Sequence, residues 1–231
     1  SWYRRQRQMC IRDRYNIVRD DWNGYNILHN AAGRVGALDI GFVPAEGGKS
    51  TEEILAASEN REMDLIFMLG YDAEDVKRAK DSFNIYIGTH GDIGVSVADV
   101  ILPAASYAEK TATYVNTEGR VQHTTQAVAT IGEAKSDWEI VNLISAELEL
   151  PIVKNSKELD REINKNYPIF ADREVIFRDN KIAIYEPKGS SLQNIKFKNY
   201  LDNFYMTNVI TRSSPLMAKI SQEILKNNKE N

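Results

Sequence analysis

Three short apolar runs, separated by helical patterns, constrain the fold of this chain most strongly. Residues 65–69 (LIFML) form a continuous apolar run of strand length that ends at Gly70, and residues 84–88 (NIYIG) form a second. A third extends from Val97 to Leu102 and is stopped by Pro103. Continuous apolar runs are typical of strands that are buried on both faces of a parallel sheet. The runs therefore predict three parallel strands.

The segment between the first two runs predicts a helix. From Asp72 to Lys80, acidic residues occupy the first turn and basic residues the last, an order that complements the helix dipole. Strand, helix and strand at this spacing form a βαβ unit, for which a right-handed crossover is expected. Residues 15–150 are therefore predicted to be an α/β segment, with a Rossmann-like parallel sheet and flanking helices.

Two capping boxes mark further helices. The first is Ser50-Thr51-Glu52-Glu53, and the second is Ser136-Asp137-Trp138-Glu139. The helix after the second box presents Trp138, Val141, Ile144 and Leu148 at helical spacing, and Pro151 is expected to end it.

Residues 151–231 are predicted to be a mainly polar C-terminal extension that ends in a helix. Residues 181–185 (KIAIY) are a short strand candidate. For the last helix, Ser214 is a good N-cap and Pro215 suits the first helical position. Its predicted apolar stripe consists of Leu216, Ile220 and Ile224.

Charge and cysteine content exclude several functional classes. The 231 residues carry a net charge of −4, which divides into +4 over residues 1–14 and −8 over the rest. An acidic body without a basic stripe argues against nucleic-acid binding. Cys10 is the one cysteine, so neither a disulfide within the chain nor a cysteine-ligated zinc or iron–sulfur site can form. No apolar run approaches the length of a membrane span, and no membrane insertion is expected.

A glycine-rich tetrapeptide at residues 47–50 (GGKS) resembles the end of a phosphate-binding P-loop. The full motif needs a glycine at the position of Val43, and no strong apolar strand leads into it. We favour a flexible loop that feeds the first capping box. A free-standing nucleotide-binding enzyme that uses Lys49 and Ser50 is retained as the weakest alternative.

Two turns follow the first two apolar runs, and ligands of open α/β sheets bind at such positions. Asp72, after the first run, would repel a phosphate, so we interpret this turn as structural. His90 and Asp92 lie in the second turn and could act in proton transfer. Hydrogen bonding to the loop backbone is the favoured interpretation. His29, His90 and His123 lack the spacing of metal ligands on one helix.

The densest motif is ADVILPAA at residues 98–105, followed by EKTATYVNTEGR at residues 109–120. Composition alone indicates a strand, a small-residue turn and a loop with polar anchors. The pair resembles a signature of the molybdopterin oxidoreductase superfamily. More narrowly, the chain resembles the C-terminal part of the largest iron–sulfur subunits of respiratory complex I, the 75 kDa type. Further matching stretches are YNILH (25–29) with ALDIG (37–41), HGDIG (90–94), and FYMTNVITRSSPLMAK (204–219).

The resemblance covers roughly residues 15–222 and implies the distal half of a molybdopterin-oxidoreductase-like domain. It implies a structural, non-catalytic segment of NADH:ubiquinone oxidoreductase, with no catalytic, cofactor-binding or metal-binding residue in this chain. The iron–sulfur clusters are expected in a missing N-terminal part, and no molybdenum cofactor is expected. A fragment of a catalytic enzyme of the formate dehydrogenase type is the alternative.

The same resemblance implies partners, a location and a set of signature residues. The partners would be other peripheral-arm subunits of complex I and the N-terminal part of the same subunit. The location would be the matrix side of the mitochondrial inner membrane or, alternatively, the cytoplasmic face of a bacterial membrane. Arg212 is predicted to matter for assembly without affecting the folding of the α/β core. The family-signature and candidate interface residues are Asp99, Asn116, Glu118, Gly119, Arg120, Tyr205, Arg212 and Ser214.

Residues 1–14 do not match the family. The stretch QRQMCIRDR (6–14) resembles the translated adapter sequence that contaminates transcriptome assemblies. The natural sequence is therefore predicted to begin near Tyr15 and to continue upstream. The rival hypothesis is a subunit divided between two genes, with a natural basic leader. The sequence thus divides into a head (1–14), an α/β segment (15–150) and a C-terminal extension (151–231).

Overall fold

The computed structural model describes residues 18–19, 22–23, 28–29, 31–73, 81–171 and 203–227. Contacts divide the chain into two units, each discontinuous in sequence. The first comprises Ser1–Gly41, Thr113–Gln122 and Ile163–Lys198, and the second comprises Phe42–Ala112, His123–Glu162 and Asn199–Asn231. The boundaries at residues 14 and 150 rest on family match and composition, and they stay predictions.

The described elements are short. The strands are β1 (Val18–Arg19), β2 (Trp22–Asn23), β3 (Leu65–Leu69), β4 (Phe83–Gly88), β5 (Val100–Pro103), β6 (Ala112–Val115) and β7 (Val121–Thr124). The helices are α1 (Arg34–Asp39), α2 (Thr51–Glu59), α3 (Ile93–Val97), α4 (Asp137–Glu147), α5 (Ser156–Asn166), α6 (Val209–Arg212) and α7 (Pro215–Asn227). Two 3₁₀ helices cover Pro168–Phe170 and Phe204–Met206.

The second unit contains the predicted parallel sheet. Its three strands lie in the order β3-β4-β5, with Leu65 opposite Phe83 and Ile85 opposite Val100. The α/β prediction is therefore confirmed. The third strand begins at Val100 and not at Val97, because Val97 ends α3 and is buried against Met68 and Tyr86.

Each face of this sheet has its own core. On one face, Met68, Tyr86 and Val97 form a buried cluster. On the other face, Ile87 and Ala104 pack with Ile140 of α4. The capping box at Ser136 and Glu139 is present, as predicted, and places α4 against β4 and β5.

The expectation that β3 is buried on both faces is wrong. Met68 is 7% exposed, whereas Leu65, Phe67 and Leu69 are 46%, 47% and 53% exposed. In the described part of the chain β3 is an edge strand, and α4 packs beside Ile87 of the neighbouring strand. The side chains of β3 therefore point alternately to a covered and to an uncovered face of the sheet.

The apolar faces predicted for two helices are also partly wrong. In α4 the buried residue is Ile140, while Val141 and Leu148 are exposed, and the helix ends at Glu147, before Pro151. Glu149 follows in the left-handed region, with φ of 56°. In α7 Leu216 is exposed, whereas Ser221 is buried and accepts a hydrogen bond from Asn203 at 2.7 Å.

The first unit has a separate core around the paired strands β6 and β7. Val115, Val121 and Phe170 are buried together, and Val35 and Ile163 pack against them. The sequence motif at residues 112–120 was expected to be a loop. The structure corrects this, because the motif supplies β6 and the turn that leads to β7.

Some predictions fall outside the described residues. These are the helix over residues 74–80, the strand candidate at 181–185 and the head at 1–14. Within the described ranges, no helix is both long and apolar enough to cross a bilayer.

Candidate functional site

The carboxyl ends of β3 and β4 lie side by side and lead into two polar turns. The first turn passes through Gly70, whose φ of 61° favours glycine, and reaches Asp72. The second contains His90 and ends at Asp92, directly before α3. Because ligands of open α/β sheets bind at this edge, the two turns form a candidate binding site.

A single arginine from the C-terminal part of the chain joins the two turns. Arg212 is the last residue of α6, and its Nε donates a hydrogen bond to the Asp92 carboxylate. Its Nη2 donates to the backbone oxygen of Asp72 at 2.7 Å and lies 3.7 Å from the Asp72 carboxylate. We call Asp72, Asp92 and Arg212 the carboxyl-edge cluster.

Burial makes this cluster different from an ordinary surface ion pair. The side chains of Arg212, Asp72 and Asp92 are 17%, 3% and 21% exposed. Asp72 Oδ1 accepts a hydrogen bond from the backbone N–H of Gly94 at 2.6 Å. Asp72 Oδ2 is buried and has no hydrogen-bond partner within the described structure, so Arg212 supplies its nearby positive charge. A buried carboxylate is costly without such a partner.

Tyr86 lies beside the cluster. Burial, with smaller contributions from the charges of Asp72 and Asp92, raises the pKa of Tyr86 to about 12, and the charge of Arg212 opposes the rise. The phenol therefore stays protonated at neutral pH. Its hydroxyl donates to the backbone oxygen of His90 at a long 3.5 Å.

Two glycines leave room for the Tyr86 ring. A Cβ on Gly88 would lie 2.2 Å from Tyr86 Cζ, and a Cβ on Gly94 would lie 2.4 Å from Cε2. Both distances are too short for any side chain, and the buried ring cannot move aside. Gly88 of β4 and Gly94 of α3 are thus required for the packing of Tyr86.

The expected backbone bonding of His90 and Asp92 is wrong. The His90 ring Nδ1 lies 2.8 Å from Thr89 Oγ1, a side-chain contact, and the Asp92 carboxylate binds Arg212. The structural interpretation of Asp72 agrees with its contacts. Sequence reasoning missed the cluster because Arg212 lies 120 and 140 positions from its two partners.

The signature residues 116–120 form a compact turn in the first unit. Asn116 Oδ1 accepts the N–H of Glu118 at 3.0 Å and of Arg120 at 2.9 Å. Gly119 has a φ of 88°, which lies in the left-handed region that favours glycine. The Glu118 and Arg120 side chains are exposed. The motif has a structural use in shaping this turn, and its role at an interface stays a prediction.

The other signature residues have separate structural contacts. Asp99 Oδ2 accepts the N–H of Asn84 at 2.9 Å, at the amino end of β4. The Tyr205 N–H bonds Asn203 Oδ1 at 3.2 Å. Ser214 Oγ accepts the N–H of Met217 at 3.4 Å, which confirms Ser214 as the N-cap of α7. Of the eight predicted residues, Arg212 alone belongs to the carboxyl-edge cluster.

The P-loop-like tetrapeptide serves helix capping. Ser50 Oγ accepts the N–H of Glu53 at 3.3 Å, and the Glu53 carboxylate accepts the N–H of Ser50 at 2.6 Å. The backbone hydrogen bond from Ser50, with a smaller contribution from its hydroxyl, holds the pKa of Glu53 below its usual value. The capping-box prediction is confirmed.

A second carboxylate caps the loop before β6. Glu109 Oε2 accepts the N–H of Ser106 at 2.8 Å, and this backbone hydrogen bond lowers the pKa of Glu109. The neighbouring Lys110 forms an ion pair with Asp137 at the start of α4. The Glu109 contact lies within one loop, and the Lys110 contact joins that loop to α4, so both have a structural use.

Two protein families match this chain. The family described as molybdopterin oxidoreductase matches residues 7–147, a range that begins within the basic head. The family described as the C-terminal region of the NADH-ubiquinone oxidoreductase G subunit matches residues 179–220, a range that includes α6 and Arg212.

Individual relatives match over most of the chain. The G subunit of NADH-quinone oxidoreductase from Rickettsia bellii is 40% identical over 210 residues, which is 90% of this chain and 29% of the relative. The NADH-ubiquinone oxidoreductase 75 kDa subunit of Reclinomonas americana is 40% identical over 89% of the chain and 29% of its own length. The mitochondrial 78 kDa subunit of Neurospora crassa is 37% identical over 89% of the chain and 28% of its own length. The chain thus spans less than a third of these relatives.

Proposed function

Because the chain belongs to the molybdopterin oxidoreductase family, we propose that it is a structural, non-catalytic segment of respiratory complex I. The proposal rests on the matches of two families to two parts of the chain. The molybdopterin oxidoreductase family covers residues 7–147, and the C-terminal family of the G subunit covers residues 179–220. Relatives named as the G subunit or as the 75 kDa subunit support a complex I role, and they do not favour a formate dehydrogenase-type enzyme.

The contacts of the carboxyl-edge cluster support a non-catalytic role. Its one cation is shared by both carboxylates. A general base or nucleophile needs a free position for its reacting partner. Here the charged groups bind one another, which is the arrangement of a structural ion-pair network.

The same edge supports the proposal that this chain holds no molybdenum cofactor. Molybdopterin carries phosphate, and a phosphate at this edge would face the carboxylates of Asp72 and Asp92. Arg212, which could offset that repulsion, already binds both aspartates. The residues of the carboxyl edge therefore do not fit such a group.

Electron transfer from NADH to ubiquinone is proposed to occur through iron–sulfur clusters held elsewhere. Cys10 is the single cysteine of the chain, too few for a cluster with four cysteine ligands. The proposed partners are other subunits of the peripheral arm and the N-terminal part of the same subunit. The proposed location is the matrix side of the mitochondrial inner membrane, or the cytoplasmic face in a bacterium.

Native isolation from the organism that encodes the chain tests the proposal. The full chain would carry an affinity tag, and gently solubilised membranes would be separated on a native gel. We expect the tag in a high-mass band that stains for NADH dehydrogenase activity and contains other complex I subunits by mass spectrometry. A tag that migrates only as a free protein, without other complex I subunits, would contradict the proposal.

Metal analysis of the same material separates the alternative enzyme. A formate dehydrogenase-type protein would contain molybdenum in stoichiometric amount and would lack the other complex I subunits. We expect iron in the isolated assembly and no molybdenum that follows the tag.

A further inference from the structure

We infer that Arg212 anchors the C-terminal segment, residues 203–227, at the carboxyl ends of β3 and β4. In other open α/β sheets this edge receives a ligand. Here the chain's own guanidinium takes that position. The inference does not depend on the complex I role, because it rests only on contacts within the second unit.

The C-terminal segment is organised by its own hydrogen bonds. Asn203 Oδ1 caps the 3₁₀ helix Phe204–Met206, and Asn203 Nδ2 donates to Ser221 Oγ of α7 at 2.7 Å. Asn208 Oδ1 accepts the N–H groups of Ile210 and Thr211, each at 3.0 Å, and so caps α6. These bonds fold the segment locally and set the position of Arg212 at the end of α6.

Arg212 links this segment to both turns of the carboxyl edge. Its guanidinium contacts the backbone oxygen of Asp72 and the carboxylates of Asp72 and Asp92. A cation at the C-terminal end of a helix also interacts favourably with the helix dipole. One side chain therefore joins α6 to the turn after β3 and to the turn before α3.

Loss of the Arg212 contacts should affect the C-terminal segment more than the sheet. Without Arg212, both carboxylates lose the cation that they share, and the buried Asp72 has no counter-charge among the described contacts. The sheet keeps its backbone ladder and its core of Met68, Tyr86 and Val97. Opening should therefore loosen residues 203–227 and the turns, and it should leave β3, β4 and β5 paired.

Hydrogen exchange of the full chain, followed by mass spectrometry, tests this inference with the variant Arg212→Ala. We expect exchange in residues 203–227 and 89–97 to rise about tenfold or more, with residues 65–69, 83–88 and 100–103 unchanged. Arg61→Ala is the matched control, because it removes an ion pair with Asp81 whose side chains are 63% and 67% exposed. The control should alter neither segment.

Two results would overturn the inference. Unchanged exchange in residues 203–227 would show that Arg212 does not hold the segment, and a uniform rise through all three strands would make Arg212 part of the core instead. If Arg212→Ala does not fold, Asp92→Asn weakens the same contact while Asp72 keeps its partner. It should give the same pattern with a smaller rise, and Arg212→Lys should restore part of the protection.

Discussion

At the scale of single residues, the contacts of the Asp72 side chain are with residues that are distant in sequence. Its sequence context predicts the start of a helix, yet its side chain is buried and reaches Gly94 and Arg212. One oxygen is satisfied by a backbone N–H, and the other relies on the charge of the arginine. The two residues should therefore be strongly coupled in stability.

A double-mutant cycle measures that coupling. Arg212→Ala should lower the free energy of local opening of residues 203–227 by about 3 kcal/mol, because it leaves a buried carboxylate unpaired. Adding Asp72→Asn should recover part of this loss, since asparagine can still accept the N–H of Gly94 without a charge. Hydrogen exchange of residues 203–227 in the four proteins gives the coupling energy. Simple additivity of the two changes would show that the 3.7 Å contact contributes nothing.

Tyr86 should give the protein a distinct alkaline transition. Its pKa is raised to about 12, so its stabilising contribution is complete below the ordinary tyrosine pKa of about 10. Between pH 10 and 12 the unfolded chain releases this proton first, and stability should fall by up to about 1.4 kcal/mol per pH unit. Absorbance of tyrosinate should show a late titration phase from Tyr86. Tyr86→Phe should lack that late phase.

At the scale of elements, local signals and packing faces differ in how well the sequence predicts them. The capping box of Ser50 and Glu53 needs atoms only three residues apart, and it formed as predicted. The apolar run of β3 also formed a strand, but only its Met68 side is covered. Which side of an element is covered depends on distant segments such as α4.

Adjacent residues of β3 test this one-sided packing. Met68→Ala should cost about 2–4 kcal/mol, because it leaves a cavity in the cluster with Tyr86 and Val97. Phe67→Thr should cost no more than about 1 kcal/mol, since Phe67 is 47% exposed and threonine suits a strand. Urea denaturation provides both values. Equal losses would mean that both faces of β3 are buried in solution.

At the scale of the whole molecule, charge is distributed unevenly along the chain. Residues 1–14 carry a net charge of +4, and the remaining residues carry −8. The family matches and the carboxyl-edge cluster depend on the body of the chain far more than on its head. The sequence-based hypothesis that the head is foreign can therefore be tested by removing it.

Deletion of residues 1–14 should change the net charge from −4 to −8 and lower the isoelectric point below the value of about 5.5. The free energy of unfolding should change by no more than about 0.5 kcal/mol, which is the effect of an ordinary surface change. Isoelectric focusing and denaturation measure the two quantities. A large loss of stability would identify the head as a natural part of the fold.

The sequence by itself determined the family, the three parallel strands and the helix starts that capping residues mark. Apolar runs, capping residues and the signature motifs act over a few positions, and they predicted the parallel strands, the helix starts and the molybdopterin oxidoreductase fold. Only the tertiary structure decided which faces are covered and which charges meet. Arg212 reaches Asp72 and Asp92 across 140 and 120 positions, because folding of α6 and the sheet brings them together. Such contacts depend on the packing of whole elements, which no local pattern encodes.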